Sequence, residues 1–204
     1  MIKIFAKKGV VLAEAIVTIS ILIMCAIIAG SIFTNASTTT SLSKDFLIAN
    51  GLAIEGAESV RNIVYTNRMI LPTDKTCWLT LDPATINLDN KTCVSVAAKE
   101  VNYIPFEKAT GDQTKGKWKL DNGGATELDL SKGAVANTAY LLYVSKDNGR
   151  YTTSSANDAV ASKFYRSVRF LNVDDNYATL EVEVAWFEGS KPWNTTTVVY
   201  LINK

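Results

Sequence analysis

Lys7-Lys8-Gly9-Val10-Val11-Leu12-Ala13-Glu14 lies on the edge of a long apolar run and decides how the rest of the chain is read. From Val10 to Phe33 the residues are almost wholly aliphatic, and Glu14 is the only charged side chain among them. At about 1.5 Å per residue, a helix over that stretch is long enough to cross a bilayer. A carboxylate inside such a span costs roughly 2.5–3.5 kcal/mol on insertion scales, and such groups usually have a partner. Cleavage after Gly9 would create one, since Val10 would then carry a new α-amino group four residues before Glu14. These opposite charges are positioned to pair between adjacent copies of the chain.

The junction resembles the class III signal of type IV pilins and pseudopilins. That family has a short basic leader, Gly before the cut, an apolar helix after it and Glu at the fifth mature position. Here Lys3, Lys7 and Lys8 form the leader, Gly9 is the cleavage residue and Glu14 is the signature acid. The family most often begins its mature chain with Phe, followed by Thr-Leu, whereas this chain has Val10-Val11-Leu12. Two other readings compete. A secretory signal peptide has a shorter apolar core followed by a small-residue cleavage site, for which Ala26, Ala29 and Gly30 would serve. A plain single-pass anchor, held by its lysines on the cytoplasmic side, would leave Glu14 without a partner.

Composition suits a secreted, membrane-derived subunit. The formal charge of the 204 residues is +1, and loss of the three leader lysines takes it to −2. Such a balance gives no electrostatic ground for nucleic-acid binding. Histidine is absent, which removes Ser-His-Asp and Cys-His catalysis and His-ligated metal sites. No cofactor or metal is expected. After the helix about 140 residues remain, enough for one domain with a real core. Cys25 lies in the apolar run and reads as a small packing residue, whereas Cys77 and Cys93 flank a polar segment. Their bridge, expected in an oxidising compartment, would contribute roughly 3 kcal/mol on the chain-entropy model; the alternative is two free thiols.

The helical pattern resumes beyond the apolar run. Ala49, Leu52, Ala53, Ala57, Val60 and Val64 recur at spacings of three and four, forming one stripe. A rod from Val10 to Val64 would be about 80 Å long. Its first half would lie in membrane or filament core, its second against a domain. Gly30-Ser31 and the threonine-rich stretch after it are where such a rod is expected to bend or melt. Leu52 to Asn62, with Glu55-Gly56 and Val60-Arg61-Asn62, resembles a segment of minor pilins. In that reading Gly56 admits another backbone and Arg61 reaches a carboxylate on the domain.

After Asn67 the period changes to that of strands. Alternation marks Lys117–Leu120 and Ala139–Ser145, then Phe164–Val173, Ala178–Phe187 and Thr195–Ile202, with turns at 146–149, 174–176 and 188–192. The last three form an antiparallel meander whose apolar face the helix stripe can cover. The valines leading to Trp186 and the ending Val199-Tyr200-Leu201-Ile202-Asn203 also resemble minor pilins. Between Pro72 and Ser162 the pattern suggests loops, with a short helix over Ser154–Ala161. Asp174, Asp175 and Asn176 read as a solvated turn before a Ca²⁺ site. Trp118, Trp186 and Trp193 read as core or rim, not as a carbohydrate platform. Asn35, Asn90 and Asn194 begin glycosylation-type triplets that occur often by chance.

The expected fold class is therefore α+β: a long N-terminal helix, half transmembrane, packed on a C-terminal antiparallel sheet, pilin-like by resemblance. The expected organisation is a leader at 1–9, a membrane or filament-core helix at 10–33, an amphipathic continuation at 34–67 and a β domain at 68–204. The resemblance implies processing at Gly9–Val10 by prepilin peptidase, methylation of Val10, and assembly with other pilin subunits through Val10 and Glu14. It places the chain in the cytoplasmic membrane before assembly and in an extracellular pilus afterwards. A minor pilin is favoured over a major pilin or a secretion or DNA-uptake pseudopilin. The alternative from another class is an anchored or secreted surface domain that never polymerises. No enzymatic activity is expected.

Overall fold

The computed structural model describes residues 3–72, 75–90, 92–96, 102–107, 118–122, 128–133, 135–155 and 158–203, the side chains of 3–10, 106, 107, 122, 135 and 136 excepted. Contacts divide the chain into two units, Met1–Asp45 and Phe46–Lys204. The α-helix α1 runs from Lys3 to Ile70 and contributes to both. The compact unit therefore begins some twenty residues before the expected strand domain, because the second part of the helix supplies one wall of that unit's core.

In the first unit, the described side chains from Val11 to Ser41 are exposed, including Val11, Leu12, Ile16, Val17, Leu22, Ile27 and Phe33. An exposed apolar helix of this length is long and apolar enough to cross a membrane. No break occurs at Gly30-Ser31. The helix continues through the threonine-rich stretch, where Ser31, Thr34, Thr38, Thr39 and Thr40 donate their hydroxyls to carbonyls three or four residues back. Back-bonding satisfies these polar groups without interrupting the ladder.

In the second unit, every residue of the apolar stripe is buried: Ala49, Leu52, Ala53, Ala57, Val60 and Val64, joined by Ile63. They cover one face of a seven-stranded sheet comprising β1 (Asn102–Glu107), β2 (Trp118–Asn122), β3 (Leu141–Ser145), β4 (Tyr151–Thr152), β5 (Ala159–Val173), β6 (Tyr177–Glu188) and β7 (Lys191–Ile202). The meander β5–β6–β7 is antiparallel as expected, with Val168 opposite Val182 and Val182 opposite Thr197. The far edge of β5 is shared by two hairpins, β1–β2 near its end and β3–β4 near its start. Period-two alternation aims Phe164, Val168 and Phe170 of β5 and Leu180, Val182, Val184 and Trp186 of β6 at the helix, all nearly inaccessible to solvent. Trp186 meets Phe46 edge-on at 4.9 Å. The other face carries a smaller cluster around Leu128, Leu130, Tyr140, Tyr165 and Ala185.

Several local expectations need correction. Ser154–Ala161 contains no helix among its described residues; Ala159 already opens β5, whose start pairs with β3, and 156–157 lie outside the described residues. Ala139 and Tyr140 end a 3₁₀ turn, and β3 starts only at Leu141. The last hairpin is tighter than expected: Glu188 pairs with Lys191, and Pro192 belongs to β7. Gly189, at φ 61°, supplies the left-handed residue that so short a loop requires. Asp174 is committed to its turn, accepting from the N–H groups of Asn176 and Tyr177. Among the described residues no group of three or more potential ligands can hold a metal. Trp186 is core, whereas Trp118 and Trp193 are half-buried.

Cys77 and Cys93 are bridged, with Cα atoms 5.9 Å apart. The loop they close is folded back on itself by bridges between Thr80 and Ser95 and between Asn87 and Thr92. Buried Asn67 ties the end of α1 to this loop, donating from Nδ2 to the Trp78 carbonyl and accepting from Thr80 Oγ1. Reducing the bridge is expected to lower stability by roughly 3 kcal/mol. Denaturant titration of oxidised and reduced protein measures it; equal midpoints would show that the bridge contributes nothing.

Candidate assembly residues and a buried arginine

The candidate assembly residues are Gly9, Val10 and Glu14. Their backbone is helical, but the side chain of Val10 lies outside the described ones, so no Val10–Glu14 geometry is given. Glu14 is exposed and has exposed Val11, Leu12, Ile16 and Val17 as near neighbours along the helix. Residues at i±3 and i±4 share a helix face, so Val11 and Val17 lie on the side that carries Glu14. Between Val11 and Phe33 the helix is unburied, and Glu14 is its one charged side chain. Cys25 is a free, exposed cysteine on this helix.

The second unit holds a charged contact that the strand pattern only hinted at. Arg166 occupies an inward position of β5 between Phe164 and Val168, and it is 2% exposed. Its guanidinium donates from Nη1 to the Leu52 carbonyl of α1 at 3.2 Å, and Glu55 Oε1 stands 3.7 Å away. Burial draws its pKa down from the ordinary arginine value, and Glu55 opposes that shift. Arg166 Nε is buried without a hydrogen-bond partner. The direction of pairing is thus the reverse of the expectation. Arg61 does not reach a carboxylate on the sheet but pairs with Glu58 on its own helix. The sheet's Arg166 instead reaches up to α1. The available sequence signal was an arginine at an inward position of an otherwise apolar alternation.

Gly56 makes this contact possible. A Cβ there would stand 2.9 Å from Val182 Cγ1 and 3.1 Å from Arg166 Cδ. The close approach is therefore by side chains of β5 and β6, not by another backbone. Val182 is fully buried and β-branched, so it cannot swing away. Gly56→Ala gains up to about 1 kcal/mol of helix propensity but overpacks at a typical cost of about 1–3 kcal/mol, for a net loss of about 1 kcal/mol. Thermal unfolding tests this, and a raised midpoint would contradict the packing argument.

Two other ionisable groups are shifted by their surroundings. Burial, then the Tyr143 phenol, pushes the Tyr165 phenol up. The Ser131 hydroxyl, then its N–H, draws Asp129 below the usual carboxylate range. A carboxylate lowered on folding favours the folded state above its unfolded pKa. That contribution disappears as pH falls through the folded value. Tyr165 belongs to the small cluster on the outer face, and Asp129 stands between that cluster's Leu128 and Leu130. Tyr165 is next to Arg166 in β5, but successive strand residues face opposite sides of the sheet.

Fold and site together define an α+β protein with one membrane-length apolar helix and a disulfide-closed, helix-on-sheet unit. No family model, no curated protein and no solved structure matches the chain.

Proposed function

We propose that this chain is a structural subunit of a type IV pilus or related filament. It is cut after Gly9 by prepilin peptidase, methylated on Val10 and assembled through its N-terminal helix. The single observation that carries the reading is Glu14, the sole charge in an unburied apolar run, placed five residues after a basic–Gly junction. In the membrane the helix anchors the precursor. In the filament the Val10 amine of one subunit meets Glu14 of the next, so the carboxylate is not left uncompensated in an apolar core. Among filament subunits, a minor pilin is favoured by the Leu52–Asn62 segment and by the loops that decorate the sheet; a major pilin or pseudopilin uses the same chemistry.

The disulfide-closed unit with its own core also suits a single-pass surface domain that does not polymerise. One measurement separates the readings: the intact mass and N-terminal residue of the protein recovered from cells. A chain beginning at methylated Val10 is the expected result. An N-terminus at Met1, or one beyond Phe33, overturns the filament reading and leaves the anchored or secreted domain.

A further inference from the structure

The described sheet has three edges, and two of them are closed or short. The N–H of Leu120 in β2 donates to the Leu81 carbonyl, so the disulfide loop lies along that edge. On the same side of β5, the other hairpin's edge strand β4 is only two residues long. The third edge is β7, twelve residues long and paired only with β6. Its interior, Trp193 to Ile202, contains no charge and no proline, the two devices that commonly blunt an edge.

The ladder tells which groups are open. Asn203 donates its N–H to the Asn176 carbonyl, and Glu188 pairs with Lys191 across the two-residue loop. Antiparallel pairs alternate, so the odd-numbered residues of β7 exchange hydrogen bonds with β6. The backbone groups of Asn194, Thr196, Val198 and Tyr200 therefore point away from the sheet. Arg68 closes the run by donating to the Ile202 carbonyl. The same residues turn their side chains to the outer face, where Val198 is 49% and Tyr200 is 70% exposed.

We propose that β7 docks a second copy of itself across a two-fold axis at Thr197, joining two sheets into one. The occupant follows from the edge. Its open run is uncharged and symmetric about Thr197, so antiparallel pairing sets Asn194 against Tyr200 and Thr196 against Val198. That register uses every open N–H and C=O from Asn194 to Tyr200, about eight hydrogen bonds, and leaves Pro192 and the Arg68-capped Ile202 outside it. The contact is isologous, so it closes at two copies and does not propagate. It is independent of the filament reading and of the N-terminal processing.

The test uses the full chain in detergent, with Cys25→Ser to remove the free thiol. Thr197→Cys places two cysteines at a non-hydrogen-bonded pair, about 4.5 Å apart at Cα and within disulfide reach. Mild oxidation is expected to give about tenfold or more disulfide dimer than Val160→Cys, a more exposed position elsewhere on the sheet. Val198→Pro removes one open N–H without touching the β6 ladder, and it is expected to abolish the Thr197→Cys dimer while the domain stays folded. Cross-linking no better than Val160→Cys, a dimer indifferent to Val198→Pro, or cross-linking of Thr197→Cys to a different protein in its place overturns the proposal.

Discussion

Glu14→Gln is expected to leave the chain cleaved at Gly9 and its sheet domain folded, yet to reduce its incorporation into sheared filaments more than a hundredfold. Removing one member of a buried ion pair typically costs about 3–5 kcal/mol, because the other charge is left uncompensated. At about 1.4 kcal/mol per factor of ten, that is on the order of a hundredfold to a thousandfold in the assembly equilibrium. The same substitution acts oppositely in lipid. It removes the roughly 2.5–3.5 kcal/mol burden of a carboxylate in the span, so the membrane pool should rise as the filament pool falls. That divergence separates an assembly role from a loss of stability, which would lower both pools. The ratio of filament to membrane protein, together with the N-terminal mass, provides the readout. Normal incorporation of Glu14→Gln would remove Glu14 from the mechanism.

The second large effect concerns Arg166, through a contrast between two replacements. Arg166→Ala is expected to cost about 3–5 kcal/mol, the upper part of the range for truncating a long buried side chain. The void cannot be filled from above, since the residue facing it on α1 is Gly56. Arg166→Met keeps the volume but removes a desolvated charge and an unpartnered Nε. Swapping a buried charge for an apolar group of similar size is often neutral or stabilising, so Arg166→Met should lie within about 1 kcal/mol of the parent or above it. Glu55, 42% exposed, remains hydrated in either variant and adds little to the cost. Urea unfolding of the three proteins decides the matter. A loss in Arg166→Met equal to that in Arg166→Ala would mean that the guanidinium bonds, not its packing, hold α1 to the sheet.

Much of this architecture was legible in linear order because it rests on short-range periodicity. The three- and four-residue spacing from Ala49 to Val64 names the buried helix face, and the two-residue spacing in β5 and β6 names the strand residues that meet it. The hairpins β1–β2 and β3–β4 were harder. β1 is hard to read from the sequence, since Pro105 interrupts its pattern and its tie to the rest of the sheet, Asn102 with Arg169 and Tyr103 with Val168, is far away along the chain. The Ser154–Ala161 segment misled for a related reason: its small residues match a helix locally, but pairing with β3 draws its end into β5.

The site divides along the same line. Local sequence alone sufficed to single out Gly9, Val10 and Glu14, since a carboxylate in an apolar run stands out without any knowledge of neighbours. It also paired Cys77 with Cys93, the two cysteines outside the membrane-length run. Only tertiary structure could show that Gly56 admits the side chains of Arg166 and Val182, that Arg61 pairs within its own helix, and that β7 is left open at the sheet edge. Each of these depends on what lies across a gap of many residues. The hydrophobic period along a chain states which face is buried, but not which side chain stands opposite.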